Sequence, residues 1–293
     1  MGPGGREAVR RFCKLRQLAG AALLAALACA SGGPDRTTPP AERAAEAPRP
    51  PFWHARAEGH GDLYLLGSVH IGSAGTPPFD ARIQEAFASA AELVVEVDVS
   101  RVTQAEVLSY TQRYATLPPH LRLDSLLSED TREMLADYVA SRGLPNDQIQ
   151  SLKPWFVSQL VLMVELQAAG YDASLGVDRV FVDEADGDKP IVGLETIASQ
   201  LAMLDGLSPQ LQELMLEETL LRVDDLETHT RQLLAAWSAG DEADLERRLF
   251  EPLETIPELA DFYEAVFWRR NAEMAARLVE LARDGRTRFV VLG

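Results

Sequence analysis

The chain has 293 residues, and 45 acidic side chains against 28 Lys and Arg give it a formal net charge of −17. So acidic a surface argues against a nucleic-acid partner and against electrostatic docking on anionic lipid. Both cysteines, Cys13 and Cys29, lie near the N-terminus. The remainder therefore has no disulfide and no thiolate metal site, and a metal there would use His and carboxylate ligands.

Arg6, Arg10, Arg11, Lys14 and Arg16 form a basic head, and a short apolar run follows from Leu18 to Ala28. The run is too short to span a bilayer and reads as the core of a secretory signal, residues 1–29. Ala26-Leu27-Ala28-Cys29 resembles a bacterial lipoprotein signal, whose cysteine carries the lipid anchor. Plain cleavage after Ala28 or Ala30 is the alternative, and an organelle transit peptide is a third. Residues 30–51 are rich in Pro, Ala, Gly, Thr and charge and read as a disordered linker. Residues 52–293 then form one domain of ordinary size. The expected location is the bacterial cell envelope, periplasmic or lipid-anchored, or outside the cell.

Phe52 to Ala57 is expected to be a first strand, turning through Glu58-Gly59-His60-Gly61-Asp62 into a second at Leu63 to Gly67. Helical spacing of Phe79, Ile83 and Phe87 predicts a helix over Phe79 to Ala91. The run from Glu92 to Asp98 is β-branched enough for a buried strand. Helices are expected over 103–114, 128–141, 154–169, 176–186, 197–204, 209–237, 242–250 and 258–284. A strand from Lys189 to Glu195 interrupts them, and a last strand begins at Thr287. Strands separated by helices imply an α/β fold: a mostly parallel or mixed central sheet flanked by helices, with a large helical insertion. Tyr64-Leu65-Leu66-Gly67 echoes Val290-Val291-Leu292-Gly293, and Val94-Val95-Glu96 echoes Val192-Gly193-Leu194-Glu195, which suggests two related halves.

His70 follows the strand-ending Gly67 by three residues, where open α/β sheets keep their ligand sites. A loop histidine bonded to backbone is the alternative. Glu96 lies among valines, where a buried charge needs a metal, a cation or a proton. Asp98, two residues on, could be the inward group instead. Glu195 repeats the situation at another strand end, with helix capping near Thr196 as the alternative. Arg269, Arg270 and Asn271 form a polar cluster in an amphipathic helix, suited to clamping a carboxylate or polarising a carbonyl, or to facing solvent. His54, His60, His120 and His229 lack metal-ligand spacing.

Taken in order, Tyr64-Leu65-Leu66-Gly67-Ser68-Val69-His70-Ile71-Gly72, Leu93-Val94-Val95-Glu96-Val97-Asp98, Val192-Gly193-Leu194-Glu195-Thr196, Arg270-Asn271-Ala272-Glu273-Met274 and Phe289-Val290-Val291-Leu292-Gly293 resemble the TraB/PrgY/GumN family, related to the Tiki proteases. The resemblance implies two G-x-x-H motifs and an essential glutamate, gathered at one end of the sheet. It implies a metal-dependent peptidase acting on a peptide or protein substrate, with Mn, Co or Zn as the divalent ion. His70 and Glu96 would bind the metal or activate water, Glu195 would be a further ligand, and Arg270 and Asn271 would line the site. The second G-x-x-H would begin at Gly293, where the sequence ends, so an impaired site is expected. The competing expectation is a non-catalytic envelope protein that binds a peptide or other ligand in the same cleft.

Overall fold

The computed structural model describes residues 48–74, 79–185 and 187–293. The expected signal and all but the end of the expected linker lie outside them. Five strands form one sheet: β1 (Phe52–Ala55), β2 (Leu63–Gly67), β3 (Glu92–Val95), β4 (Ile191–Gly193) and β5 (Arg288–Leu292). Their order is β1-β2-β5-β3-β4. β1 pairs antiparallel with β2 as the expected hairpin, while β2, β5, β3 and β4 run parallel. The fold is α/β, with a mostly parallel sheet.

β5 is the central strand, and it is buried along its whole length from Arg288 to Leu292. Alternation divides its apolar side chains between two layers. Phe289 and Val291 face one layer with Leu66, Leu93 and Val95. There they meet α1 (Ala81–Ser89) and α6 (Val177–Ala185) through Phe87, Phe181 and Val182. Val290 and Leu292 face the other layer with Leu63, Leu65 and Val94, against Met274 and Leu278 of α12 (Arg270–Leu281).

The two long segments flanking β4 carry the other helices. Before it come α2 (Gln104–Tyr110), α3 (Glu129–Arg142), α4 (Asn146–Ile149) and α5 (Pro154–Ala168). After it come α7 (Ile197–Asp205), α8 (Pro209–Leu221), α9 (Leu226–Ala239), α10 (Glu242–Thr255) and α11 (Ala260–Tyr263). Two apolar clusters join these segments, one around Trp155, Leu201, Met215 and Phe267 and one around Leu135, Val157, Val161 and Leu216. The helical material is thus split between two insertions that pack on each other.

Several boundaries differ from the sequence reading. β3 ends at Val95, so Glu96 is the first residue past the strand. The segment read as one helix over 209–237 is broken by a 3₁₀ turn at Val223–Asp225. The segment over 258–284 passes through a π-helical stretch, Glu264–Arg269, before α12. Residues 49–51 pack onto the domain: the Arg49 amide donates to the Ser238 carbonyl, and the Pro51 carbonyl accepts from Gly67.

Candidate functional site

Each parallel strand delivers a short polar segment to the same edge of the sheet. β2 leads to His70, β3 to Glu96, β4 to Glu195 and β5 to Gly293. Beyond the ladder proper, the Ser68 amide donates to the Leu292 carbonyl at 2.8 Å, and the Glu195 amide to the Glu96 carbonyl at 2.7 Å. The pleat therefore continues into the site, and these loops hold a fixed register. The Trp237 indole N–H donates to the Gly67 carbonyl at 2.8 Å and pins the end of β2 from α9.

His70 is 2% exposed. Its Nδ1 lies 2.9 Å from Asp178 Oδ1 at the start of α6. An ionised carboxylate only accepts hydrogen bonds, so Nδ1 carries the proton in that pair. Nε2 is buried and has no hydrogen-bond partner among the described residues. It faces the end of β5: a Cβ built on Gly293 would lie 3.1 Å from His70 Nε2 and 2.8 Å from the Ser68 carbonyl oxygen. The other histidines lie elsewhere, His54 with Asp62 and Arg56, His60 and His229 on backbone carbonyls, His120 on an exposed loop.

Glu96 is 4% exposed. Oε1 accepts the Gly293 amide at 3.0 Å, and Oε2 accepts Arg270 Nη2 at 2.9 Å. Gly293 thus sits between the imidazole and the carboxylate. Asp98 is not the inward group: it caps the following turn through the Ser100 amide and pairs with Arg101. Glu195 meets Arg270 edge-on, with Nε to Oε1 at 3.0 Å and Nη2 to Oε2 at 2.5 Å. Gln200 Nε2 adds a bond to Glu195 Oε2 at 3.0 Å and reaches Glu96 Oε2 at 3.5 Å.

Arg270 is the hub, and its helix explains its burial. Buried positions run Val266, Phe267, Arg270, Asn271, Met274 and Leu278, a continuous inward stripe across the π-helical stretch and α12. The Val266 carbonyl accepts from Arg270 Nη1 at 3.2 Å. Asn271 is buried beside it, whereas Arg269 is exposed. Burial disfavours the charged guanidinium, but Glu96 and Glu195 outweigh that and hold its pKa above the ordinary value. At His70 burial again opposes the cation. The Asp178 carboxylate, with help from Glu96 and against Arg270, outweighs it and raises the imidazole pKa above 6.5.

The model of the TraB/PrgY/gumN family matches residues 51–293. The chain belongs to that family. An uncharacterised protein of Escherichia coli, YbaP, is 26% identical over 180 residues, which cover 61% of this chain and 65% of YbaP. An uncharacterised protein of Treponema pallidum is 25% identical over 156 residues, covering 52% of this chain and 46% of that protein. The chain thus aligns to less than two thirds of each relative. No solved structure matches. Membership agrees with the resemblance carried by the strand-end motifs, and the structure brings His70, Glu96, Glu195 and Arg270 to one sheet edge, with Asn271 buried next to Arg270 on α12.

Asp178 and Gln200 were not singled out in the sequence. Asp178 left only a faint signal there: an acidic residue two positions after Gly176, at the start of a short helix. Among the described residues there is no group of three or more His, Cys, Asp or Glu placed to hold a metal ion. The donors that do converge are His70 Nε2 and the Glu96 carboxylate. They fit a borderline divalent ion in kind, since imidazole and carboxylate are its usual ligands. In number they are one short of the three protein ligands common in catalytic zinc sites. Both carboxylates are already engaged, Glu195 by Arg270 and Gln200 and Glu96 by Arg270 and the Gly293 amide, so an ion would compete with these bonds at either one.

Proposed function

We propose that this TraB-family protein is a metal-dependent peptidase of the cell envelope whose reacting centre is built on His70 and Glu96. The observation that carries the reading is His70 Nε2, a buried nitrogen without a partner among the described residues, whose opposite ring nitrogen is held by a carboxylate. His70 and Glu96 would hold the ion, and a bound divalent ion would supply a Lewis acid and lower the pKa of a ligated water. Arg270 bonds Glu96 and fixes its direction, Glu195 fixes Arg270, and Gln200 holds both carboxylates. Asn271 lines the same side. The basic, apolar N-terminal segment supports export, and no helix among the described residues is long and apolar enough to cross a membrane.

One observation favours a second reading. Arg270 lies within hydrogen-bonding distance of both Glu96 and Glu195 and offsets the negative charge that would attract a cation. A non-catalytic envelope protein could use the same cleft to bind a peptide. Calorimetric titration of the chain with Mn²⁺ and Co²⁺, alongside a peptide-cleavage assay, separates the two. The peptidase reading expects metal uptake that His70→Ala and Glu96→Gln each abolish. No uptake, or uptake indifferent to both substitutions, overturns it. Peptide binding unaffected by chelator supports the second reading.

A further inference from the structure

The His70 loop is joined to the start of α6 by backbone, not only by side chains. The Gly72 amide donates to the Asp172 carbonyl at 3.0 Å, and the Asp172 amide returns to the Gly72 carbonyl at 2.9 Å. The Val177 amide donates to the Val69 carbonyl at 2.9 Å. Two glycines permit this approach. A Cβ at Gly72 would lie 2.2 Å from the Leu175 carbonyl oxygen, and one at Gly176 would lie 2.6 Å from the His70 carbonyl carbon and oxygen. These contacts bracket His70 on one side and Asp178 on the other, so their separation is set by the main chain.

Asp178 lies in the first turn of α6, where the unpaired amides of a helix start favour a carboxylate. Its Oδ1 also receives the Ser68 hydroxyl at 3.4 Å. The carboxylate is therefore held in place from two directions while it accepts the hydrogen bond from Nδ1–H. Around the ring stand Asp178 on α6, Glu96 after β3 and Arg270 on α12, and among the described residues only Asp178 bonds it directly.

We propose that Asp178 is the positioning residue of His70: it accepts the hydrogen bond from Nδ1–H, so selects the Nδ1–H tautomer, and leaves the Nε2 lone pair directed toward Gly293. A neutral imidazole carries one proton, so fixing it on Nδ1 leaves Nε2 as a ligand or base. The carboxylate behind the ring also makes Nε2 more basic and prevents the ring from turning. This rests on the reading of His70 as a donor through Nε2, and it adds the residue that makes that role available.

The test is the tautomer itself, read by ¹H–¹⁵N correlation on ¹⁵N-histidine-labelled full chain at a pH where the ring is neutral. The wild type is expected to show a protonated Nδ1 and a bare Nε2 at His70. Asp178→Ala is expected to shift the ring to the Nε2–H tautomer that free imidazole prefers. A wild-type ring already in the Nε2–H form overturns the proposal, and that measurement needs no variant. So does a folded Asp178→Ala protein with an unchanged tautomer. Calorimetry with Co²⁺ alone gives a second readout: Asp178→Asn is expected to weaken binding by about 10- to 100-fold. Unchanged affinity in that variant overturns the proposal. A wild type that takes up no Co²⁺ but shows the Nδ1–H tautomer defeats the peptidase reading and leaves the positioning role standing.

Discussion

Glu96 and Glu195 are neighbours through their backbones: the Glu195 amide donates to the Glu96 carbonyl at 2.7 Å, and Arg270 bonds both carboxylates. Two like charges at adjacent strand ends would repel if left alone. The guanidinium between them removes that cost and makes three charged groups one unit.

Removing the cation should therefore cost more than removing a surface charge. Arg270→Leu is expected to destabilise the fold by about 3–5 kcal/mol, because it leaves the buried Glu96 and the partly buried Glu195 without their partner. The triple variant Arg270→Leu, Glu96→Gln, Glu195→Gln should recover much of that loss. Urea denaturation of the two variants is the measurement. Equal stability of the single and triple variants would show that the carboxylates do not feel Arg270.

The sheet and the strand-end residues were readable because both rest on local pattern. Apolar runs ending in glycine marked β2 and β5, and a carboxylate after three valines and leucines marked Glu96. Asp178 was not readable, since it lies 108 residues from the histidine it holds. What joins them is a backbone clamp whose glycines look like ordinary loop residues in sequence. The break at Val223–Asp225 was also hidden, because apolar spacing continues on both sides of it. The engagement of Glu195 by Arg270 could not be foreseen either. It depends on the inward stripe that carries Arg270 beneath β4, and on Gln200 one helical turn past the capped start of α7.

The clamp makes a prediction of its own. Gly176→Ala places a methyl 2.6 Å from the His70 carbonyl, against main chain that cannot swing away. Relief requires α6 or the His70 loop to move, at about 1–3 kcal/mol for an overpacked contact. Asp178 moves with α6, so the Nδ1–H tautomer of His70 should weaken as well. Gly187→Ala, where no heavy atom lies within 4 Å of the added Cβ, is a control for the site: it strains a positive-φ turn but leaves the tautomer unchanged.

The opposite edge of the sheet holds a second buried cation with no part in the site. Arg288 is fully buried and bonds Glu92 Oε2 at 2.8 Å, Asp284 at 2.7 and 2.9 Å, and the Leu281 carbonyl at 2.6 Å. It ties the starts of β3 and β5 to the end of α12. Arg288→Met is expected to cost about 3–5 kcal/mol by leaving Glu92 short of its buried partner. In the fraction that stays folded, the His70 tautomer and Co²⁺ affinity should be unchanged. A loss of metal affinity at constant fold would mean that the two edges are coupled.

The sign of the pH dependence follows from His70. Its folded pKa is raised, because the Asp178 carboxylate and Glu96 outweigh burial and Arg270. The folded state therefore binds this proton more tightly than the unfolded chain does. The resulting stability is fully present below the ordinary value of about 6.5 and is lost as pH rises through the folded pKa. Asp178→Asn removes the main opposing charge and leaves burial dominant, which lowers the folded pKa. The His70 contribution to stability then rises with pH in the window just below 6.5. Chemical denaturation of wild type and variant across pH 5 to 9 tests this, and subtracting the two curves cancels the groups they share. The wild-type curve should fall relative to the variant as pH increases. A flat difference would mean that His70 and Asp178 exchange no charge-dependent interaction.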